Sequence, residues 1–381
     1  TINACQDERE PRIDPKLFPE MPSRHRPYEF EGKDVVFVSA RVHPGETPAS
    51  FVFQGILRFL LDPGDPRAAE LRRRFVFKLV PLLNPDGVAA GHFRQDSFGN
   101  NLNRHYVDPH PERHASVYAS KMVLTGHELR VRVLYTGPPC FTNTRRFPHG
   151  RRRFGQNGVG LKPLRARLVG SFLSRIFCGP ANAFLCEFAL SATRLRCYAA
   201  FSRQPFRPTM PLTTLGRLTL YLDLHAHASA RGCFVYGNHL ASLEDQAENQ
   251  LLPLLMTINT PHFDFASCNF SLKHMSRVDS GDYGLSAEGT GRVFYGKQAG
   301  VLRSYTLECN YNTGKAMCNH IPPAHGGRGG RFASPERTPT PAPRYNPQIW
   351  RDVGQGFLKA LLDAEGASVW SRLPQSKFKS L

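Results

Sequence analysis

The 381-residue chain lacks any run of about 18 apolar residues, so a membrane-spanning helix is not expected. Its nine cysteines are an odd number, scattered, with none in a CxxC pair. That argues against a disulfide-stapled secreted fold and for a reduced, intracellular setting. The opening residues, Thr1 to Cys5, lack the pattern of a secretory signal. No internal repeat is visible. The length allows one large α/β domain with a sizeable core, or two smaller ones.

Acidic residues are short in one place only. The formal charge is +18, which on its face suggests a nucleic-acid binder. Yet the segment from Cys140 to Arg217 holds thirteen Arg, one Lys and a single acid, Glu187. It carries +13 by itself and leaves +5 for the rest. The basicity is local, and no nucleic-acid partner is expected for the main domain.

The rest has a legible order. Residues 1–33 are polar and proline-rich and read as a lead-in. Asp34–Val42 reads as a buried strand, His43–Thr47 as a turn, and Thr47 as the cap of a helix with Pro48 in its first turn. The apolar body Phe51–Leu61 follows, then a charged helix, Pro66–Arg74, and a strand, Phe75–Leu83. An Asn84-Pro85-Asp86-Gly87 turn closes that strand. Residues 140–211, rich in Arg, Gly, Pro and Phe without a period, read as an insertion: a disordered surface segment, or sequence outside the folded design. A strand ends at Leu218–Leu222 and the following Asp-Leu-His. Glu244–Met256 reads as a helix, Leu302–Cys309 as a strand and Pro347–Glu365 as a closing amphipathic helix. The domain then runs over 34–366, with a tail at 367–381. Strands alternating with helices predict an α/β fold with a mixed, mostly parallel sheet flanked by helices.

Three constellations carry chemistry. His43 and Glu46 sit three apart in a strand-to-helix turn, and His225 ends a later strand. Two histidines and a carboxylate at strand ends suit a catalytic zinc ion, whose fourth position stays open. His227 is a rival ligand, but an irregular turn there would point it away, which favours His225. Second, Arg94 to Arg104 brings Arg94, Asn103 and Arg104 after the Asn-Pro-Asp-Gly turn. A guanidinium fork beside an amide suits a terminal carboxylate, and Arg94 could instead face a developing oxyanion. Third, Glu308 is the lone acid of a strand-like stretch and could act as a general base.

Together Ala40-Arg41-Val42-His43-Pro44-Gly45-Glu46-Thr47, Asn84-Pro85-Asp86-Gly87-Val88, Asn101-Leu102-Asn103-Arg104, Asp223-Leu224-His225-Ala226-His227-Ala228 and Tyr305 to Asn312 resemble the zinc metallocarboxypeptidases, specifically the cytosolic carboxypeptidases. The resemblance implies a metallocarboxypeptidase-like fold and one Zn2+ held by His43, Glu46 and His225. It implies Glu308 as general base, Arg94 on the oxyanion side, and Asn103 with Arg104 on the terminal carboxylate. Arg292 matches a position expected to meet the acidic side chain of the departing residue. It further implies a monomeric, cytoplasmic protein, microtubule-associated or nuclear in some settings. Such a protein removes glutamate from polyglutamylated tubulin or other acidic protein tails, branch-point glutamate included, with no membrane partner. Residues 1–33 would be the remnant of an upstream β-sandwich domain. Ala287 stands where relatives tend to carry Lys. Two rival readings remain open: a zinc amidohydrolase for small N-acyl amino acids, and a non-catalytic protein that binds acidic tails.

Overall fold

The computed structural model describes residues 27–28, 30, 32–124, 216–278, 284–315, 321–322 and 341–381. The arginine-rich insertion and most of the lead-in lie outside the described residues.

The described residues form one five-stranded sheet, in the order β2-β1-β3-β5-β4. Its strands are β1 (Asp34–Ala40), β2 (Phe75–Val80), β3 (Leu218–His227), β4 (Cys233–Tyr236) and β5 (Arg303–Asn310). β1 pairs with β2 and β3 in parallel, and β3 with β5 in parallel; only β4 runs antiparallel, against β5. The sheet is therefore mixed and mostly parallel. The sequence Asp-Val-Val-Phe-Val-Ser-Ala of β1 has apolar side chains on both faces, as a strand covered on both sides requires. Val36, Val38 and Ala40 enter one core, and Val35 and Phe37 the other. Period-two alternation along a single strand thus feeds two layers.

The first layer is built by α1 (Thr47–Leu60), α4 (Leu243–Met256) and α6 (Pro347–Ala364). Between them in sequence come α2 (Pro66–Arg74), the short α3 (Pro85–Ala89) and α5 (Gly291–Gln298). α1 and α6 cross at small residues: a Cβ on Gly55 would fall inside contact distance of the Arg351 backbone, and one on Gly354 would meet the Val52 carbonyl. The opposite layer contains Val117 and Leu124 of the helical stretch 115–124, Tyr106 of the loop before it, and Tyr295 of α5. After α6, Leu373 is buried in the first core and Phe378 packs against it.

Several boundaries differ from the sequence expectation for identifiable reasons. The N-cap of α1 is Glu46, not Thr47, and its carboxylate caps nothing because it is bonded elsewhere. The Asn-Pro-Asp-Gly segment is not a plain turn. Asn84 caps α3 by accepting from Gly87 N at 3.0 Å, with Pro85 as first residue. No helix among the described residues is long and apolar enough to cross a membrane.

β1 leads outward to β2, while β3 returns on the other side of β1 and leads on to β5. The carboxyl ends of β1 and β3 therefore flank a topological switch point, where open α/β sheets form their crevices.

Candidate metal centre and active site

His43 leaves the carboxyl end of β1, and the helix begun by Thr47 brings Glu46 back beneath it. Arg41 holds the turn in shape. Its backbone lies in the left-handed region at φ 60°, and its Nε donates to Pro44 O at 2.9 Å. Its Nη1 donates to Ser50 Oγ at 2.8 Å. His225 lies on β3 directly opposite Glu308 of β5 in the parallel register.

These elements bring His43, Glu46 and His225 together as a buried cluster, with one ligand atom from each within 4.8 Å of the others. Glu46 is its hub. Oε1 lies 2.7 Å from His43 Nδ1, and Oε2 lies 2.9 Å from His225 Nδ1. Oε2 also accepts from Ala226 N at 3.0 Å. The two imidazoles meet edge to face with centroids 4.9 Å apart.

The outward ring nitrogens are also occupied. His43 Nε2 lies 3.0 Å from Asn101 Oδ1. His225 Nε2 lies 2.7 Å from Asp223 Oδ2, whose Oδ1 accepts from Ser39 Oγ at 2.8 Å. An acceptor on each Nε2 keeps a proton there, so Nδ1, which faces Glu46, is the nitrogen that would give up its proton and serve a metal as lone-pair donor. The donor set therefore fits a zinc ion. Sequence reading missed Asn101 and Asp223 as partners. Asp223 had a signal: two residues before His225 on a strand, it shares that residue's face.

The electrostatics follow the geometry. Burial opposes charge on Glu46, but both histidines outweigh it and hold its carboxyl well below the usual range. Burial also opposes charge on His225, yet Asp223 and Glu46 push its imidazole well above the ordinary value. Burial lowers His43 despite Glu46. Burial raises Glu308 to about 8, with Glu46 and Asp223 adding to the rise and His225 and Arg94 opposing it. Among the described residues, Glu308 Oε2 is buried without a hydrogen-bond partner. A carboxylate oxygen left so is costly unless something polar occupies the space it faces.

The remaining predicted residues lie around this cluster. Arg94 is half-buried and close enough to bias both His43 and Glu308. Asn103 is buried; its Oδ1 accepts from Gly291 N at 3.3 Å, and its Nδ2 lies 3.4 Å from His225 Nε2. Arg104 donates through Nη1 to Asn103 O at 2.9 Å. Its backbone lies so close to Gly289 that a Cβ there would overlap it. Arg292, 3% exposed, opens α5 and donates to Gly237 O and, at 2.7 Å, to Asn238 Oδ1. His227 remains on β3 as its last residue instead of turning away. It stands one strand repeat beyond His225, where its Nδ1 accepts from Ala230 N at 2.9 Å. It caps the following turn and is not part of the cluster.

The zinc carboxypeptidase family pattern matches residues 23–124. Cytosolic carboxypeptidase-like protein 5 of Danio rerio is 43% identical over 402 aligned positions, covering all of this chain and 44% of that protein. The Mus musculus protein of the same name is 40% identical over 398, covering all of this chain and 43% of its own length. The chain thus spans less than half the length of these curated relatives. A solved metallo-carboxypeptidase from Burkholderia cenocepacia aligns at 18% identity and TM-score 0.49, over 88% of this chain and 57% of that one.

Proposed function

The chain carries a zinc carboxypeptidase domain of the cytosolic carboxypeptidase kind, and from that premise we propose that it removes glutamate from acidic protein tails. Polyglutamylated tubulin is the substrate we put first, branch-point glutamate included, and the cytoplasm, at microtubules, is the setting. One observation carries the reading: the buried Oε2 of Glu308, without a hydrogen-bond partner among the described residues, stands across the register from His225 and its cluster.

His43, Glu46 and His225 would hold the zinc ion, with Asn101 and Asp223 keeping the two imidazoles in the ligating tautomer. Bound zinc supplies a Lewis acid that acidifies water and polarises a carbonyl. Glu308 takes a proton from the attacking water at Oε2. The oxygen of that water adds to the carbonyl carbon of the last peptide or isopeptide bond. The C–N bond then breaks, and Glu308 returns the proton to the leaving amine. Arg94 faces the developing oxyanion. Asn103 and Arg104 grip the terminal α-carboxylate through an amide donor and a guanidinium fork. Arg292 faces the side-chain carboxylate of the departing residue. A buried guanidinium that has no carboxylate partner among the described residues favours Glu over a neutral residue at that place.

The test is release of free glutamate from a polyglutamate-ended peptide by the zinc-loaded chain, beside release from an N-acyl glutamate. Faster turnover on the peptide supports the proposal. Turnover confined to the N-acyl amino acid would make it a small-molecule amidohydrolase. Tight binding of the peptide without any release would make it a binding protein.

A further inference from the structure

Resting on that reading of the site, we propose that Arg277 and His274 form an outer carboxylate subsite beside Arg292. It would take a second acidic side chain of the same tail and tune the chain to runs of two or more acidic residues.

The placement follows from the sheet. Phe234 of β4 pairs with Glu308 of β5, so Tyr236, two residues on, shares the face that carries Glu308. The Glu308 charge acts on the Tyr236 hydroxyl. The His274 ring lies over the Tyr236 ring with centroids 4.0 Å apart and an interplanar angle of 30°. His274 Nδ1 lies 3.4 Å from Arg292 Nη2. A guanidinium can only donate, so Nδ1 accepts and the neutral imidazole carries its proton on Nε2, a donor free to meet a carboxylate. Burial and the charges of Arg292, Arg277 and His227 pull His274 down to about 4, which keeps it neutral at pH 7.

His274 is anchored. Ser271 Oγ caps its short helix, Leu272–Met275, and Met275 Sδ accepts from His239 N at 3.0 Å. Arg277 follows at once. Its carbonyl accepts from Ala287 N at 2.8 Å, and Val278 bridges to Ser286, which fixes its backbone beside the segment leading into α5. The Arg277 charge acts on Tyr236, His227 and His274. A path therefore runs outward from buried Arg292 through half-buried His274 to exposed Arg277.

Among the described residues, no carboxylate forms an ion pair with Arg277 or Arg292. Four other arginines do have such partners: Arg303 pairs with Glu248 and Glu365, Arg67 with Asp65, and Arg73 and Arg74 with Glu70. Like charges left without a carboxylate near one another repel and raise the positive potential around them. A single terminal residue offers one α-carboxylate and one side-chain carboxylate, already assigned to Arg104 and Arg292. The outer cation answers a further acid.

The test measures affinity in a Glu308→Gln, zinc-loaded background that does not turn peptides over. One peptide ends in five glutamates. The other has neutral residues and a single terminal glutamate. Arg277→Ala should weaken the first about fivefold and Arg277→Glu about tenfold, with the second changed less than about twofold. The difference should shrink as salt rises. Equal weakening of both peptides, no change in either, or no measurable binding of the pentaglutamate peptide would overturn the subsite. Failure of the unsubstituted chain to release glutamate would instead count against the proposed activity, and the affinity comparison would still decide the subsite.

Discussion

Replacing Asp223 by Asn should weaken zinc binding without unfolding the chain. Asp223 is 1% exposed, and its two oxygens serve different partners: Oδ2 stands 2.7 Å from His225 Nε2, and Oδ1 accepts from Ser39 Oγ at 2.8 Å. An asparagine has the same shape. Its carbonyl can still accept from His225, and its amide can donate to the Ser39 hydroxyl. Only the negative charge is lost, and with it the charge-assisted bond that makes His225 Nδ1 a stronger donor to metal. Outer partners of metal-bound histidine are worth about 10–100-fold in affinity. Asp223→Asn should fall near the lower end, about tenfold or ~1.4 kcal/mol. Asp223→Ala, which also leaves Ser39 and His225 without an acceptor, should approach the upper end. The assay is competition for zinc with a chromogenic chelator, with circular dichroism as the check on folding. An unchanged zinc affinity in a folded Asp223→Asn chain would refute the reasoning.

Three further outcomes follow from the same structure. Gly55→Ala should lower the denaturant midpoint by the equivalent of about 1–3 kcal/mol, because a Cβ there meets the Arg351 backbone and α1 and α6 must separate; an unaltered midpoint would contradict that close crossing. In the metal-free chain Glu308 is pushed up to about 8 from 4.5, so the folded state holds a proton that the unfolded state releases. Stability should therefore fall as pH rises from about 4.5 toward 8, and Glu308→Gln should flatten the slope; a parallel pH profile for the two chains would count against it. Removing zinc should lower the melting temperature, and restoring it should raise the temperature with added metal, since binding to the folded state alone stabilises it. A His225→Ala chain should show no such response.

Much of the fold could be read from pattern. The apolar run of β1, the Pro66–Arg74 helix and the closing α6 with Asn346 and Pro347 at its start follow local rules, and local rules suffice for them. The sequence also pointed to His43, Glu46 and His225, because strand ends followed by turns converge at one sheet edge. Less legible were contacts that depend on tertiary packing. Asn101 meets His43 across 58 positions, and only the closeness of the 101–106 loop to the 289–291 segment puts it there. Glu46 looked free to precede a Thr47 cap, but a carboxylate committed to two imidazoles cannot cap a helix. His227 was expected to turn away from a strand that in fact continues through it. His274 gave no local signal, since its partners lie on β4 and α5, and Arg277 gave none either. The charge of +18 pointed at a segment outside the described residues, whereas the cations that face the cluster are few and specific.

The most direct measurement compares the chain with its Glu308→Gln variant, scoring bound zinc and glutamate released from a polyglutamate-ended peptide in the same preparations. The account predicts about one zinc per chain in both. Glutamate should be released by the unsubstituted chain alone. Equal release by the two chains, or a folded unsubstituted chain with neither zinc nor release, would contradict it.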